Sequence, residues 1–547
     1  MDKQYRPWLP GQPFLLPPSP LDWLPPEHLV HFLFDVLESL DLREITGAIH
    51  AKDARGTRPY HPRMMTALLL YGYCVGLASS RKLEAATYTD VAFRVLAGDC
   101  HPDHSAIATF RRTHLTALAK FFLQVLRLCQ QAGLVTLGHV ALDGTKVQAN
   151  ASKHKAMSYE RMLKTEAELT AEIERLLAAA ETVDQEEDAR YGKDRRGDEL
   201  PEELRRRETR LQKIRAAKAA LEAEAAAARA REVEEQAERA RQKAAATAEE
   251  ERAAAERTAQ KATERAAAAQ QQAQAAADAR VAAARAAAET QRAAAQTPAE
   301  RRRATAAEDE QRRAEEAAAQ VAAGAANAAP PTWPTHQVPA DAEGHPKPEA
   351  QRNFTDGDSR IMKRGSEYLQ GYNGQAAVDE EHQIIVGQGL SNQAPDVEHL
   401  SPMLDEIERN CGRLPARLTG DSGYFSEENA RTCEERGVDA HLAVERQKHG
   451  ADPAAPPPAP EGEGKRAMRA KLQTPAGRAT YARRKAVVEP VFGQIKEARG
   501  FRRFLLRGLK RVRSEWALIC TGHNLRKLLA ALRDARVGAA LPAASPA

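Results

Sequence analysis

A long stretch of alanine and charged residues limits what this chain can fold into. From Lys155 to Asn327 the sequence is dominated by Ala, Glu, Arg, Gln and Lys, and beyond Ala225 large apolar side chains nearly vanish. Such residues favour helix strongly, but alanine stripes pack too weakly to form a globular core. This stretch, the Ala-rich insertion (residues 155–328), is therefore predicted to be a helical coiled-coil insertion. Any globular domain must be assembled from the residues on either side of it.

Two parts of the insertion carry enough large apolar residues to pair as an antiparallel helical hairpin. They lie at 158–183 and 201–226, on either side of a charged, Gly-containing segment. The residues predicted to meet are Leu163, Leu169, Ile173, Leu176 and Leu177 from the first helix and Leu204, Leu211, Ile214 and Leu221 from the second. Two interpretations of the whole insertion stay open: an arm for dimerisation or for spanning DNA ends, and a low-complexity insertion that the fold tolerates.

The remaining sequence divides by composition. Residues 1–20 are Pro-rich and are expected to form an extended tail. Residues 21–134 show helical spacing in several short segments, as in a helix-turn-helix domain that binds DNA, although any helical bundle shows the same spacing. Prolines begin the linker 329–349. Residues 135–154 and 350–532 are expected to form one catalytic domain, followed by a disordered tail at 533–547.

The order of elements in the catalytic domain indicates an α/β fold. A β-branched strand that contains Asp143 precedes the insertion, and a hairpin of strands 371–379 and 383–390 follows it. Then come a helix, a strand that ends at Asp421, a helix with Ser426 as its N-cap, a short strand, and a basic helical region over 474–532. An RNase H-like domain, a mixed sheet flanked by helices, has this order.

Three acidic residues are the candidate catalytic and metal-binding groups: Asp143 in VALDGTKV, Asp421 in LTGDSGYF and Glu489 in RRKAVVEPVFGQIK. Each alone has another interpretation, namely a turn at Asp143, a capping Asp421 and a solvated Glu489. Strand-end and helix carboxylates meet at one sheet edge in the predicted fold. Three convergent carboxylates suit a pair of Mg²⁺ ions, which at about 4 Å separation can activate an attacking oxygen and stabilise a leaving one.

The surroundings of Glu489 predict a helix with one catalytic face. Lys496 follows two helical turns later and is expected to point at a phosphate near the metal ions. Pro490 cannot donate a backbone hydrogen bond, so the helix is expected to begin or to kink here, which places Glu489 at a rigid helix start.

The segment around Glu489 is strongly basic. From Tyr481 to Arg513 the sequence has eleven Lys or Arg and two Glu, although the formal net charge of the whole chain is only +4. Interleaved Phe492, Phe501 and Phe504 favour binding to a polyanion over a solvated basic helix.

Cysteine usage and hydropathy give the expected compartment. None of the six cysteines forms a CxxC pair or shows zinc spacing, which indicates reduced thiols in a cytosolic protein. No apolar run has signal-peptide or membrane-helix length, so a soluble intracellular protein is expected.

These motifs together resemble the DDE transposases of bacterial insertion sequences. The resemblance is to insertion sequence family 1182, within the group that carries a Tyr-Arg-Glu-Lys signature. The matching residues are Tyr481, Arg484, Glu489 and Lys496, with an Arg-to-Glu interval one residue longer than in the signature. Similar segments are HPDHSAIATFRR, FTDGDSRIMKRG, GYNGQAAVD and SNQAPDVEHL. The resemblance covers about residues 20–235 and 350–530.

The resemblance implies metal-dependent cutting of DNA at the element ends, followed by strand transfer into target DNA without a covalent protein–DNA intermediate. Asp143, Asp421 and Glu489 would bind two Mg²⁺ ions, for which Mn²⁺ substitutes. The N-terminal domain would recognise terminal inverted repeats, and a homo-oligomer would hold the paired ends near the bacterial nucleoid. DNA-binding residues would be Tyr481, Arg484, Lys496, Arg502, Arg503 and Arg507.

Two other functions are compatible with parts of the sequence. A hydrolytic nuclease of the same fold would cut DNA without joining it. A non-enzymatic coiled-coil DNA-binding protein would explain the insertion but not the three carboxylate segments.

Overall fold

A computed structural model of the chain describes residues 19–51, 58–191, 205–243, 331–445 and 462–539. The described residues form two compact units. The first contains the residues up to Ala217 together with 331–336 and 351–539. The second contains helical residues 218–243 and the segment 337–350. Of the predicted tails 1–20 and 533–547, residues 1–18 and 540–547 lie outside the described residues. Residues 533–539 belong to a helix that ends at Ala539, so the prediction of a disordered tail is wrong for them.

Eight strands form a mixed six-stranded sheet and a separate two-stranded ribbon. The strands are β1 (His139–Gln148), β2 (Ala156–Ser158), β3 (Gln351–Asn353), β4 (Arg360–Arg364), β5 (Glu367–Asp379), β6 (Ile385–Ser391), β7 (Arg417–Gly420) and β8 (Asp439–Leu442). The sheet order is β4-β5-β1-β7-β8, with β6 also paired to β5. Strand β1 is antiparallel to β5 and parallel to β7, which is parallel to β8.

The predicted hairpin at 371–390 and the two strands after it are present, although β5 begins four residues earlier than predicted. Strand β4 has no counterpart among the predicted elements. It pairs with the first part of β5, whereas β6 pairs with the second part. Both halves of the long strand β5 are therefore covered by a neighbour.

Eight short helices precede the sheet: α1 (Leu29–Ser39), α2 (Arg43–His50), α3 (Pro62–Val75), α4 (Ser80–Thr89), α5 (Val91–Ala97), α6 (His104–Thr113), α7 (Leu115–Ala119) and α8 (Phe121–Gln131). Helix α3 is apolar on most faces, and every residue from Met65 to Cys74 is buried. These helices and the sheet share one continuous hydrophobic core. They therefore pack as one body in the first unit.

The helix α9 (Tyr159–Tyr191) begins the Ala-rich insertion. The β2–β3 ribbon brings the two ends of the insertion together, because Ser158 pairs with Gln351. Helical residues 205–217 pack against α9. Ion pairs of 3.0 Å join Glu166 to Arg215 and Glu172 to Arg207, an order that makes the two helices antiparallel.

The apolar contacts of this helical pair differ in part from those predicted. Leu169, Ile173, Leu211 and Ile214 share a small core as expected. Leu163 is 43% exposed, and the neighbouring Met162 is buried in its place. Leu204, the side chain of Leu177 and residues 244–330 lie outside the described structure, so most of the predicted coiled coil stays a prediction.

Five helices accompany the second half of the sheet: α10 (Leu400–Cys411), α11 (Glu427–Glu435), α12 (Glu463–Gln473), α13 (Pro475–Gly493) and α14 (Leu509–Ala539). Ser426 caps α11 as predicted, since its hydroxyl accepts from the backbone N–H of Asn429. The prediction that a helix begins near Glu489 is wrong. Thr474 caps α13, and Pro490 lies inside that helix near its C-terminal end. Among the described residues no helix is long and apolar enough to cross a membrane.

Candidate active site and nucleic-acid interface

The structure brings Asp143 and Asp421 together at one end of the sheet. Strands β1 and β7 are parallel neighbours, with Ala141 opposite Thr419. Two residues further along each strand are Asp143, within β1, and Asp421, which directly follows β7. Adjacent strands lie about 4.8 Å apart, so the two carboxylates are close. The Asp421 charge accordingly helps to raise the pKa of Asp143.

Burial is the main reason that the pKa of Asp143 rises to about 6, and the charges of Asp421 and Asp396 add to it. Two contacts act in the opposite direction. Arg484 forms a 3.1 Å ion pair with Oδ2, and the Gly144 backbone N–H donates to Oδ1 at 2.8 Å. The site is therefore crowded with negative charge that Arg484 neutralises only in part.

Arg484 points into this cluster from α13. Its side chain is only 9% exposed. Its Nε is buried and has no hydrogen-bond partner among the described residues. The Tyr481 ring lies 5.9 Å from the guanidinium carbon. The predicted contact of Arg484 with DNA therefore requires that DNA reach the carboxylate cluster, because Arg484 does not lie on the open surface.

Asp396 is a third acidic residue at the site, and it was not among the predicted site residues. It lies in the loop after β6, in the segment SNQAPDVEHL. Lys146 Nζ donates to it at 3.0 Å, and the amides of Asn373 and Gln375 donate at 2.7 and 2.8 Å. A Cβ on Gly144 would stand 2.6 Å from Asp396 Oδ1, so only glycine at 144 lets this carboxylate approach β1.

No regular pattern in the sequence marks Asp396. Periodicity identifies strands and helices, whereas a loop residue reaches its neighbours through the path of the chain. The one available signal was the resemblance of SNQAPDVEHL to the same segment in the family described above.

Glu489 does not join the aspartates in this structure. Its side chain is exposed and has no hydrogen bond or ion pair within the described part of the chain. The same residues contain no group of three or more His, Cys, Asp or Glu arranged to hold a metal ion. The predicted convergence of all three carboxylates is thus seen for Asp143 and Asp421 only.

Lys496 lies at the site, as expected from its spacing. It belongs to the π-helical turn Gln494–Ala498 after α13, and its Nζ donates to Thr145 Oγ1. Thr145 is two residues from Asp143, on the same face of β1. Burial and the nearby Arg364 lower the pKa of Lys496 to about 8.

Two family models match the chain. The model of the transposase DDE domain matches residues 333–525, and that of the transposase domain DUF772 matches residues 18–113. Together they span more than half of the sequence. The chain is a DDE transposase. No match was found among curated proteins or among solved structures. The assignment to insertion sequence family 1182 stays a prediction.

Membership of this family fixes the general properties of the protein. It is a transposase that binds DNA and depends on divalent metal ions. A DDE domain implies the RNase H-like fold, with which the mixed sheet and its flanking helices agree. The DDE match begins after the insertion, so it includes Asp421 and Glu489 but not β1. The pairing of β1 with β5 and β7 adds Asp143 to the same domain.

The donor atoms at the site of this transposase fit a hard divalent cation. Asp143 and Asp421 offer carboxylate oxygens, the ligands that Mg²⁺ and Mn²⁺ prefer. Burial and, after it, the repulsion between neighbouring carboxylates raise the pKa of Asp143, and a cation would relieve that repulsion. The fit is incomplete at Glu489, whose side chain must turn toward the aspartates to become a ligand.

The basic segment 481–513 presents less charge to solvent than its composition suggests. Arg499 is buried, and its Nη1 donates to the carbonyls of Ile519 and Tyr73 at 3.1 and 3.3 Å. Burial lowers the pKa of Arg499 to about 10. Arg513 is half-buried and donates to the Leu390 carbonyl. With Arg484, three of the eleven basic side chains therefore make their contacts inside the fold and add little positive charge to the surface.

The other predicted DNA-binding arginines lie on the surface. Arg502 is exposed and pairs with Glu497. Arg503 and Arg507 are also exposed and donate to the Asn150 side chain and carbonyl at 2.7 and 2.9 Å. Because Asn150 follows β1, both arginines lie along the chain that leaves the catalytic strand.

Proposed function

We propose that this transposase cuts DNA at the ends of its own element and joins the freed ends to target DNA, with Asp143, Asp421 and Glu489 as the catalytic carboxylates. The observation that carries this proposal is the position of Asp143 and Asp421 at the same end of two adjacent parallel strands. Two acidic side chains that lie side by side and are largely shielded from water are costly for the fold. A bound divalent cation would offset the repulsion between the two carboxylates, which explains why they lie together.

Asp143 and Asp421 would hold two Mg²⁺ ions, for which Mn²⁺ substitutes, and Glu489 would complete the ligand set from α13. Such ions lower the pKa of an attacking oxygen and stabilise charge on a leaving oxygen. Arg484 now neutralises Asp143. It would release this carboxylate to the cation and turn its guanidinium, including the unpartnered Nε, to a phosphate oxygen of the bound strand.

The chain's own cations would position the phosphodiester. Lys146 follows Asp143 by three residues on β1 and donates to Asp396, and Lys496 donates to Thr145 of the same strand. Their ammonium groups would draw the DNA backbone towards the carboxylates. The oxygen of a water molecule attacks the phosphorus in line and displaces a 3′ oxygen. The freed 3′-OH then attacks the phosphorus of a target phosphodiester in line and displaces the target's 3′ oxygen, which takes up the proton that the attacking hydroxyl loses.

Partners follow from this reaction. Two element ends must meet, so a homo-oligomer is expected on paired ends. The N-terminal helices would recognise the inverted repeats, and Tyr481, Arg502, Arg503 and Arg507 would hold phosphates near the cut. A bacterial protein that acts on the nucleoid would work in the cytoplasm.

The test incubates labelled DNA that carries the inverted repeats bordering the gene with each protein in turn. It compares cutting and joining by wild type with those by Asp143→Asn, Asp421→Asn and Glu489→Gln. Each variant is expected to lose cutting and joining by about 10²-fold or more while DNA binding persists. Asp534→Asn and Glu428→Gln, at exposed positions outside the site and outside the N-terminal helices, serve as controls. Equal activity of all proteins would disprove the site assignment. Cutting without joined product in wild type would instead identify a nuclease.

A further inference from the structure

A second concentration of positive charge lies at the base of the Ala-rich insertion, away from the carboxylates. It lines a cavity of about 770 Å³. The basic lining residues are His154, Lys155, Arg161, Arg210, Lys213 and Arg507. They come from the segment around β2, the start of α9, helical residues 205–217 and the loop before α14. Four separate parts of the chain meet here when the loop that carries Phe354 is included, because β2 runs directly into α9.

None of the described residues that line the cavity is acidic, so no carboxylate among them balances these cations. Within the described residues Arg161, Arg210 and Lys213 form no ion pair. Other basic residues of the same helical pair do, since Arg207 and Arg215 pair with Glu172 and Glu166. Arg210 and Lys213 are three residues apart on one helix, a spacing at which like charges repel. Unbalanced charge gathered in a cavity is the expected electrostatic footprint of a polyanion site.

Basic residues also connect this cavity to the active site. A smaller cavity of about 380 Å³ shares His154 with the first and is lined by Lys153, Arg364 and Arg503, together with Glu367, which forms a 3.8 Å ion pair with Arg364. Arg364 in turn lies close enough to Lys496 to lower its pKa. The basic track therefore leads from Lys496 through Arg364 and Arg503 to the base of the insertion.

Exposed aromatic side chains accompany the basic track. Tyr368 is 59% exposed at the smaller cavity, and Phe354 is 37% exposed at the larger one. Aromatic residues interleaved with cations are common where proteins bind nucleic acids. Their presence favours DNA over a small anion as the ligand of the track.

We propose that the basic track binds the backbone of duplex DNA beyond the cut site, and that Arg161, Arg210 and Lys213 give the Ala-rich insertion a direct role in holding that DNA. The proposal rests on the proposed function only for the position of the cut. From Asp143 to Gln148, at the smaller cavity, β1 spans about 17 Å. That length equals about five base pairs of B-DNA. The larger cavity should then contact phosphates more than about five base pairs from the cut.

The test removes these three charges and compares the result with a matched control. The cavity variant is Arg161→Gln, Arg210→Gln and Lys213→Gln. The control variant is Lys164→Gln, Arg175→Gln and Arg205→Gln, which removes the same numbers of Lys and Arg from exposed positions of the same two helices outside the cavity. Circular dichroism checks that both variants keep their helices.

Affinity is measured against salt for two duplexes with the inverted repeat, one ending about 5 and one about 25 base pairs from the cut. On the long duplex, log K should fall with log salt less steeply for the cavity variant than for wild type, by about 3 in the slope. The slope of the control variant should stay close to that of wild type. On the short duplex all three proteins should behave alike. Arg161→Lys with Arg210→Lys should keep the wild-type slope on the long duplex, because each retains a positive charge.

A second arm separates element ends from target DNA. Pre-cut ends are bound first, and strand transfer into plasmid DNA is then measured. Loss in the binding arm assigns the track to the element end, and loss in the transfer arm alone assigns it to target DNA. Cavity and control variants that are equal in both arms would overturn the proposal. The binding arm needs no catalysis. It therefore tests the basic track even if Asp143→Asn proves fully active and the assignment of the catalytic carboxylates fails.

Discussion

Gln383 donates a hydrogen bond from its side-chain amide to the backbone carbonyl of Ala486 at 3.0 Å. Ala486 lies four residues before Pro490, so its carbonyl is the one that proline leaves without an N–H partner. Gln383 comes from the hairpin between β5 and β6, more than 100 residues earlier. Its own Oε1 accepts from Lys527 at 2.7 Å. A side chain from the β5–β6 hairpin thus supplies the hydrogen bond that Pro490 cannot make in the helix that carries Glu489.

Gln383→Met should destabilise the protein by about 0.5–1.5 kcal/mol, because it removes the donor to the Ala486 carbonyl. In a Pro490→Ala background, residue 490 supplies an N–H to the same carbonyl, so Gln383→Met should cost less. A double-mutant cycle by chemical denaturation measures the difference as a coupling energy. A cycle that closes with no coupling would show that the hydrogen bond does not compensate for the proline.

Asp396 is expected to act through Lys146 rather than as a metal ligand. Asp396→Asn should weaken the hold on Lys146 and slow DNA cutting by about tenfold, the effect of about 1.4 kcal/mol. Lys146→Met should give a similar loss, and the double variant should be no worse than either. The Mg²⁺ concentration for half-maximal cutting should stay unchanged. A large rise in that concentration for Asp396→Asn alone would mean that this carboxylate binds the metal.

Arg484 should compete with divalent metal for Asp143. Without metal, Arg484→Met leaves the carboxylates less neutralised and lowers the thermal midpoint. Adding Mg²⁺ should then raise the midpoint more in the variant than in wild type, because at saturating metal each tenfold gain in metal affinity adds about 1.4 kcal/mol to the free energy of unfolding. Thermal unfolding with and without Mg²⁺ measures both effects. Lys485→Met, at an exposed neighbouring position, should respond to Mg²⁺ as wild type does.

Local patterns in the sequence were sufficient to find the elements that carry Asp143 and Asp421. Each aspartate belongs to or follows a short apolar strand, and the carboxyl ends of parallel strands meet at one edge of a sheet. The order of strands and helices then predicted the α/β fold. Strand β4 was missed because its sequence, RIMKR, is mostly charged, and it becomes a strand by pairing with the long β5.

Features that depend on distant contacts could not be predicted in this way. Pro490 normally marks the end or kink of a helix, and only Gln383 from another part of the chain shows how α13 continues past it. A count of basic residues does not say which face each occupies, so Arg484 and Arg499 were counted as surface charge although both are buried. Asp396 enters the site from a loop, where no periodicity marks it.

Lys496 predicts how DNA binding should depend on pH. Burial and the positive charges of Arg364 and Lys146 lower its pKa to about 8, although the nearby Asp143 acts in the opposite direction. Only the protonated amine attracts a phosphate. Affinity that depends on Lys496 is therefore present below pH 8 and is lost as pH rises above it. From pH 7 to pH 9 the free protein should bind DNA at the cut site up to about tenfold more weakly.

The measurement is DNA affinity against pH with a chelator present, so that no strand is cut. Lys496→Arg should bind with little change between pH 7 and 9, because the guanidinium stays charged. Lys496→Met should bind weakly throughout, since the ammonium group is missing at every pH. If wild type and Lys496→Arg weakened in parallel, the pH dependence would come from another group, and Lys496 would not contact the DNA backbone.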